Sequence, residues 1–279
     1  IIRYNSGQTV PDFASESNPE GQRTQTDGIY LNQGNSDGSS ANGITRRASI
    51  NSHNWFGVLA NLSNQLTDNL TLDVGIDLRS YKGIHYRRVN DLLGGDAYLQ
   101  TDNINNTPNP VFRETYSAEP SFWVFADIDK EEKIDYYNDG LVRWAGAFGQ
   151  LEYVSDQISA FVQGSISNQG FKRVEYFLEE PANQETDWEN ILGGNIKGGL
   201  NWNIDENHNV YANAGYYSKQ PLFDAVYINF SNDLNPDLQN EKVIGTEIGY
   251  GFRSYFLSAN VNLYRTSWAD RVESVGTTL

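Results

Sequence analysis

The sequence predicts an all-β fold, namely an antiparallel transmembrane β-barrel segment with about eight long strands. Three observations support this prediction. Several stretches alternate apolar and polar side chains, as strands do when their two faces meet different surroundings. The chain reversals between these stretches are short and long in turn. No stretch approaches the roughly 18 consecutive apolar residues of a membrane-spanning helix, so a membrane crossing has to use strands.

The clearest alternation covers residues 70–78. Leu, Val and Ile occupy the even positions, whereas Thr, Asp and Gly occupy the odd ones. Residues 55–66 show the same period, and Thr67-Asp68-Asn69 forms a compact turn, since Asp and Asn side chains bond to their own backbone. We predict a hairpin with one apolar and one polar face. Carboxylates on the polar face need water or a partner, which favours a hydrated lumen over a closed protein core.

Further stretches repeat this pattern along the chain. Strands are predicted over residues 141–153, 158–166, 196–204, 210–217, 246–252 and 257–264, with short turns at 155–157, 205–208 and 253–255. The other reversals are long and cover residues 87–140, about 179–190 and 218–243. Short turns at one end and long loops at the other are typical of outer-membrane barrels, with the turns in the periplasm and the loops outside the cell. Residues 1–50 are then an outer loop with a short strand near residues 28–31, and residues 51–271 hold the strands.

The stretch over residues 235–271 carries a family resemblance. It contains, in order, Asn235-Pro236-Asp237-Leu238, Glu241-Lys242, Glu247-Ile248-Gly249-Tyr250, Ala259-Asn260-Val261-Asn262-Leu263-Tyr264 and Asp270-Arg271. This series resembles a signature of TonB-dependent outer-membrane receptors. Asn54-Trp55-Phe56-Gly57 and residues 77–81 and 91–95 are similar to the Bacteroidetes-type branch of that family.

The resemblance implies a function and a set of partners. It implies a fragment of a receptor barrel without its plug domain. The lack of any Met fits an internal piece, and it also fits a mature protein trimmed of its leader. Such a receptor sits in the bacterial outer membrane and imports a scarce nutrient of the siderophore, cobalamin or glycan type. Its energy comes from the TonB complex through the missing plug. The implied partners are outer-membrane lipid, a small-molecule or glycan ligand and a surface lipoprotein, and no cofactor is implied.

The composition argues against several other functions. The formal net charge of −16 argues against nucleic-acid binding, because a protein needs basic surface to neutralise phosphates. There is no Cys, and the three His residues are not at metal-ligand spacing, so we predict no metal site. The motifs of serine hydrolases, P-loops and dinucleotide-binding folds are missing, and we predict no catalytic residue and no enzyme.

The longest predicted loop, residues 87–140, holds the candidate ligand-binding residues. Five aromatic side chains concentrate there among acidic neighbours: Phe122, Trp123, Phe125, Tyr136 and Tyr137. Exposed aromatic rings stack on sugars, on planar ligands or on partner proteins. The alternative is that these rings pack against one another and order the loop.

Two other functions stay open at the level of sequence. A soluble β-rich carbohydrate-binding module would meet protein or water on both strand faces. A passive outer-membrane porin would have no plug.

The prediction that the even positions of residues 70–78 face lipid also implies that Val74→Arg disrupts assembly, whereas Gly75→Ser on the opposite face is expected to be mild.

Overall fold

The computed structural model describes residues 24–26, 29–33, 46–92, 97–116 and 131–272, which are mostly strands. A one-turn helix, α1 (Phe223–Val226), and a 3₁₀ turn at Ile228–Phe230 interrupt them. The strands are β1 (Thr24–Thr26), β2 (Ile29–Gln33), β3 (Arg46–Thr67), β4 (Leu70–Asp91), β5 (Ala97–Leu99), β6 (Val111–Phe112), β7 (Ile134–Val154), β8 (Ile158–Glu175), β9 (Glu189–Asn203), β10 (His208–Lys219), β11 (Glu241–Arg253) and β12 (Ser258–Ala269). The described residues contain no helix of the length and apolarity needed to cross a membrane.

Eight long strands form one sheet in the order β12-β11-β10-β9-β8-β7-β4-β3. Successive strands are neighbours because short turns, such as Thr67 to Leu70, leave room only for an antiparallel return. The prediction of about eight long antiparallel strands is confirmed. A smaller sheet has the order β1-β2-β5-β6, with β2 and β5 parallel.

The predicted limits of the longest loop are wrong at both ends. Strand β4 continues to Asp91 and β7 begins at Ile134, so the connection covers residues 92–133 rather than 87–140. The alternation fades there because both faces of these strand ends are covered, as the burial of Tyr86, Val89 and Tyr137 shows. A strand buried on both faces loses the period-two signal. Strand β3 likewise begins at Arg46, inside the segment predicted as loop.

The chain divides into two compact units. Unit 1 comprises Ile1–Asn54, Lys82–Gly140 and Arg173–Thr186, and unit 2 comprises Trp55–Tyr81, Leu141–Lys172 and Asp187–Leu279. Within unit 1, two apolar clusters form the core. The first contains Ile84, Tyr86, Tyr137 and Phe177, and the second contains Val89, Tyr98 and Ile134.

Unit 2 is a sheet with two unlike faces. The register places Leu200, Ala212, Ile248 and Leu263 side by side on one face. These side chains stay exposed, Ile248 by 58% and Leu263 by 70%. The other face carries Asn, Tyr, Glu and Gly at the intervening positions. A broad exposed apolar face is costly in water but suits contact with lipid.

Glycines on the polar face make room for large rings from neighbouring strands. A side chain at Gly249 would place its Cβ 2.2 Å from the Tyr211 ring, and one at Gly75 would lie 2.3 Å from the Phe148 ring. At Gly75 the backbone oxygen of Ala60 is also only 2.7 Å away. A ring can rotate, but a strand backbone cannot yield so easily. The expectation that Gly75→Ser is mild is therefore wrong.

Candidate functional site

Three surfaces of the described residues present candidate functional side chains. They are the aromatic and ionic cluster of unit 1, the connection between β10 and β11 in unit 2, and the polar sheet face of unit 2. Phe122, Trp123 and Phe125 lie outside the described residues. Tyr136 and Tyr137 are described, and both belong to strand β7 rather than to a loop.

Tyr137 lies inside the core of unit 1. Its ring stacks on Tyr176 at 4.1 Å between centroids and meets Tyr86 and Phe177 edge-on at 6.0 and 6.3 Å. The Lys133 ammonium lies 4.6 Å from the Tyr137 centroid, which adds a cation–π contact. This packing matches the alternative in which the aromatics order the loop region. A ligand role for Tyr137 stays a prediction.

Tyr136 belongs to an ionic network at the start of β7. The Arg87 guanidinium lies over its ring at 5.0 Å and donates a hydrogen bond of 3.0 Å to Asp135. Arg47 also pairs with Asp135, and the Tyr98 hydroxyl donates to it at 3.4 Å. Asp135 has a φ of 61°, a left-handed conformation that is uncommon outside glycine. Asp tolerates this conformation better than most residues, and two guanidinium groups hold its carboxylate in place.

Hydrogen bonds attach the segment after β5 to the chain after β8. The Ile104 amide donates to the Phe177 carbonyl at 3.0 Å, and the Asn105 side chain donates to the Tyr176 and Glu179 carbonyls at 3.0 and 2.9 Å. Each bond satisfies a main-chain acceptor that no strand partner serves. The two connections therefore form one ordered surface in unit 1.

A carboxyl group within this surface has an altered affinity for protons. Burial raises the pKa of Asp102, and the nearby charge of Asp135 raises it further. Backbone hydrogen bonds and Arg47 act against these effects without cancelling them. Ionisation of the Asp102 carboxyl group therefore destabilises the folded state.

The connection between β10 and β11 packs against the end of strand β8. Phe171, Val226 and Tyr227 are buried together, and the Tyr227 hydroxyl donates to the Phe171 carbonyl at 3.2 Å. The Asn235 side chain donates to the Ala225 carbonyl at 3.0 Å. The motif that begins at Asn235 thus fastens the end of this connection to α1.

Phe230 protrudes from this connection. Its side chain is 86% exposed, and both Asn229 and Phe230 have a φ of 57°. Asn tolerates this conformation, but for a Phe residue it costs about 1–3 kcal/mol and persists only where surrounding bonds impose it. The Ile228 amide donates to the Asp233 carbonyl at 3.1 Å, which closes the turn. Sequence reasoning missed Phe230, because one Phe in a polar connection gives no pattern.

The polar face of unit 2 is linked by side-chain hydrogen bonds. The Tyr211 hydroxyl donates to Asn262 at 2.6 Å and to Glu247 at 3.3 Å, and Asn209 donates to Asn201 at 2.7 Å. An open cavity of about 340 Å³ lies on this face, and its lining includes Lys197. Charged and amide groups can remain here only beside water or a polar ligand. Among the described residues, no cluster of three His, Cys, Asp or Glu side chains could hold a metal ion.

Comparisons with known proteins agree with this architecture. A sequence model of the family described as "TonB dependent receptor-like, beta-barrel" matches residues 4–279. The solved structure titled "Copper transporter OprC" is similar with a TM-score of 0.51 and 14% sequence identity, over 78% of this chain and 30% of that one. The chain therefore spans about a third of the length of that protein. No curated protein sequence matches the chain.

Proposed function

Because the chain belongs to the family of TonB-dependent receptor-like β-barrels, we propose that it forms wall and loops of an outer-membrane receptor. The receptor captures a scarce nutrient outside the cell and imports it with energy from the TonB complex through a plug domain. The nutrient is of the siderophore, cobalamin or glycan type. This role is transport rather than catalysis.

The observation that carries the proposal is the contrast between the two faces of unit 2. Large apolar side chains such as Ile248 and Leu263 are exposed on one face, which lipid would cover. The other face holds the bonded polar groups around Tyr211, which suit a hydrated lumen. A soluble carbohydrate-binding module would expose the apolar face to water, so this contrast favours the membrane.

Ligand capture belongs to the connections at the end of the sheet opposite the short turns. Phe230, held outward by an unusual backbone conformation, is a contact for the ligand or for a surface lipoprotein partner. The proposed contacts also include Phe122, Trp123, Phe125, Tyr136 and Tyr137. Copper is named for the solved neighbour, and at 14% identity that likeness extends to the fold alone.

Uptake by whole cells tests the proposal. A host strain that lacks the receptor is complemented with the full-length protein, and uptake of a ferric siderophore, cyanocobalamin and an oligosaccharide series is measured. Active import predicts that one substrate class accumulates and that an uncoupler of the proton-motive force abolishes the accumulation. Uptake that survives the uncoupler would identify a passive porin instead.

Cysteine labelling on whole cells tests the proposed orientation. These 279 residues contain no Cys, and labelling of each variant is compared with that of the full-length receptor without the introduced thiol. Thiols at Asp68, Asp156 and Asn207, in the short turns, are expected to resist an impermeant reagent, whereas one at Asp233 is expected to react. The reverse labelling pattern would invert the topology. A thiol at Asp127, which lies outside the described residues, is also expected to react.

A further inference from the structure

A cavity of about 440 Å³ lies on unit 2 at one end of the exposed apolar face. Its floor is apolar and its rim is polar. The floor includes Phe56, Val58, Leu78 and Ala145, and the rim includes Ser80, Arg143, Asn168 and Asn190. These eight residues share the outward face, because alternate positions along each strand point the same way. The lining also includes Arg79 and Trp144, which occupy intervening strand positions. A Cβ at Gly149 would lie 3.6 Å from Val74, which shows that odd positions of β7 share a face with even positions of β4.

The rim marks the end of the apolar row. On β8 this row extends from Ile158 to Ile166, where Asn168 follows. Eight residue steps of about 3.3 Å give roughly 26 Å of strand, which rises about 20 Å at the tilt of about 40° usual in membrane barrels. The apolar band of such a barrel is about 25 Å tall, so the row spans most of it. Arg143 and the two Asn side chains therefore lie at the level of lipid headgroups, if the sheet sits in the membrane as proposed above.

Arg143 supplies the positive charge of the rim. Within the described residues it has no carboxylate partner, although the sequence holds 36 acidic residues. Its guanidinium instead lies 4.0 Å from the centroid of the Trp188 ring, which fixes its plane. A stacked guanidinium keeps its N–H donors available at its edge, and these donors match phosphate oxygens.

The two Asn side chains are arranged next to that guanidinium. The Asn168 amide donates to Asn190 Oδ1 at 3.1 Å, and the Asn190 amide donates to the Trp188 carbonyl at 3.3 Å. The pair thereby orients the rim and links it to the residue on which Arg143 stacks. An apolar floor beside fixed donors is complementary to an amphiphile with an anionic head.

We propose that this cavity binds the phosphorylated headgroup of a membrane lipid, with Arg143 on the phosphate and an acyl chain on Phe56, Val58 and Leu78. The occupant is a lipid rather than free phosphate, because the floor would otherwise expose apolar surface beside the head. The site is separate from nutrient capture. It would fix the height of the barrel wall in the bilayer.

Lipid titration of the purified full-length receptor tests the site. Native mass spectrometry in detergent counts bound phosphatidylglycerol, with phosphatidylcholine of the same acyl chains as the neutral comparison. We expect a preference for phosphatidylglycerol that Arg143→Gln weakens about tenfold, since a charge-assisted hydrogen bond is lost. Arg265→Gln is the matched control, because Arg265 is exposed on the same face of the sheet, as its pairing with Thr246 shows.

Two further measurements keep the test decisive. Arg143→Lys retains the charge but not the guanidinium that stacks on Trp188, and it is expected to bind phosphatidylglycerol with an intermediate affinity. This variant also tests the site if Arg143→Gln fails to assemble. Inorganic phosphate at equal concentration is expected not to compete, and competition would make the site a simple anion site. Equal binding of both lipids, wild-type affinity in Arg143→Gln, or an equal loss in Arg265→Gln would overturn the proposal.

Discussion

The two units of this chain are stabilised in opposite ways. Unit 1 buries aromatic and charged side chains together, with Asp139 1% exposed beside Lys82 at 2.7 Å. Unit 2 leaves its large apolar side chains exposed and bonds its polar ones to each other on the opposite face. Unit 1 thus buries its apolar side chains as a protein in water does. Unit 2 instead exposes its apolar side chains on the surface, as a protein in lipid does. The difference shows that burial within the protein does not identify the apolar face of a membrane sheet, because lipid rather than protein covers that face.

The largest effect is expected from truncating a Phe side chain in the core of unit 1. Phe177→Ala removes a buried ring and costs about 3–5 kcal/mol of local stability. The matched control is Phe230→Ala, because that ring is exposed and supports no core. Limited proteolysis of the full-length receptor should show faster cleavage between β5 and β7 in Phe177→Ala only. Equal cleavage of both variants would mean that unit 1 is not held together by its core.

A smaller but still severe effect is expected on the apolar face of unit 2. Val74→Arg places a charge against lipid and costs about 2–4 kcal/mol at the midplane. Thr71→Arg makes the same change on the polar face of the same strand and should be tolerated. The mobility shift of unheated samples on gels measures assembly. Equal loss of the shift in both variants would argue that water or protein, rather than lipid, covers the Val74 face.

An intermediate effect is expected where rings pack on glycine. Gly75→Ser forces its Cβ toward the Phe148 ring and the Ala60 carbonyl, and overpacking costs about 1–3 kcal/mol. Gly245→Ser is the control, because nothing lies within 4 Å of a Cβ there. The two variants are compared by the temperature at which half of the sample loses the gel mobility of the folded barrel. A midpoint in Gly75→Ser as high as in the control would show that the backbone at Ala60 yields.

The smallest effect is expected from a carboxyl group in unit 1. The pKa of Asp102 is raised above 3.8 in the folded chain, so the folded state holds the proton more tightly than the unfolded state. Its contribution to stability is therefore present at acid pH and is lost as pH rises from 3.8 through the raised pKa. Asp102→Asn should slow proteolysis of unit 1 at neutral pH and leave it unchanged below pH about 3.8. Faster proteolysis at neutral pH would show that the Arg47 charge outweighs burial.

The sequence predicted the fold well where each strand separates lipid from water. Residues 70–78 and 257–264 alternate cleanly. The first stretch lies in β4, and the second lies in β12 from Ser258 onward, both in the eight-stranded sheet. The order of short and long reversals also agrees with the structure. The candidate site was harder to predict from the sequence. Tyr137 lies in an acidic, aromatic segment, and its local sequence is the same whether the ring faces solvent or packs on Tyr176.

Sequence alone determined the strand period, the two faces and the antiparallel order, since these follow from local side-chain alternation and turn length. Tertiary structure alone decided where the strands end, which rings are buried and which glycines cannot change. Gly75 and Gly245 have the same local freedom in sequence, yet one faces a ring and a carbonyl from other strands and the other faces open space. The physical reason is that contacts across a sheet join residues far apart in the chain, and no local pattern records what lies opposite.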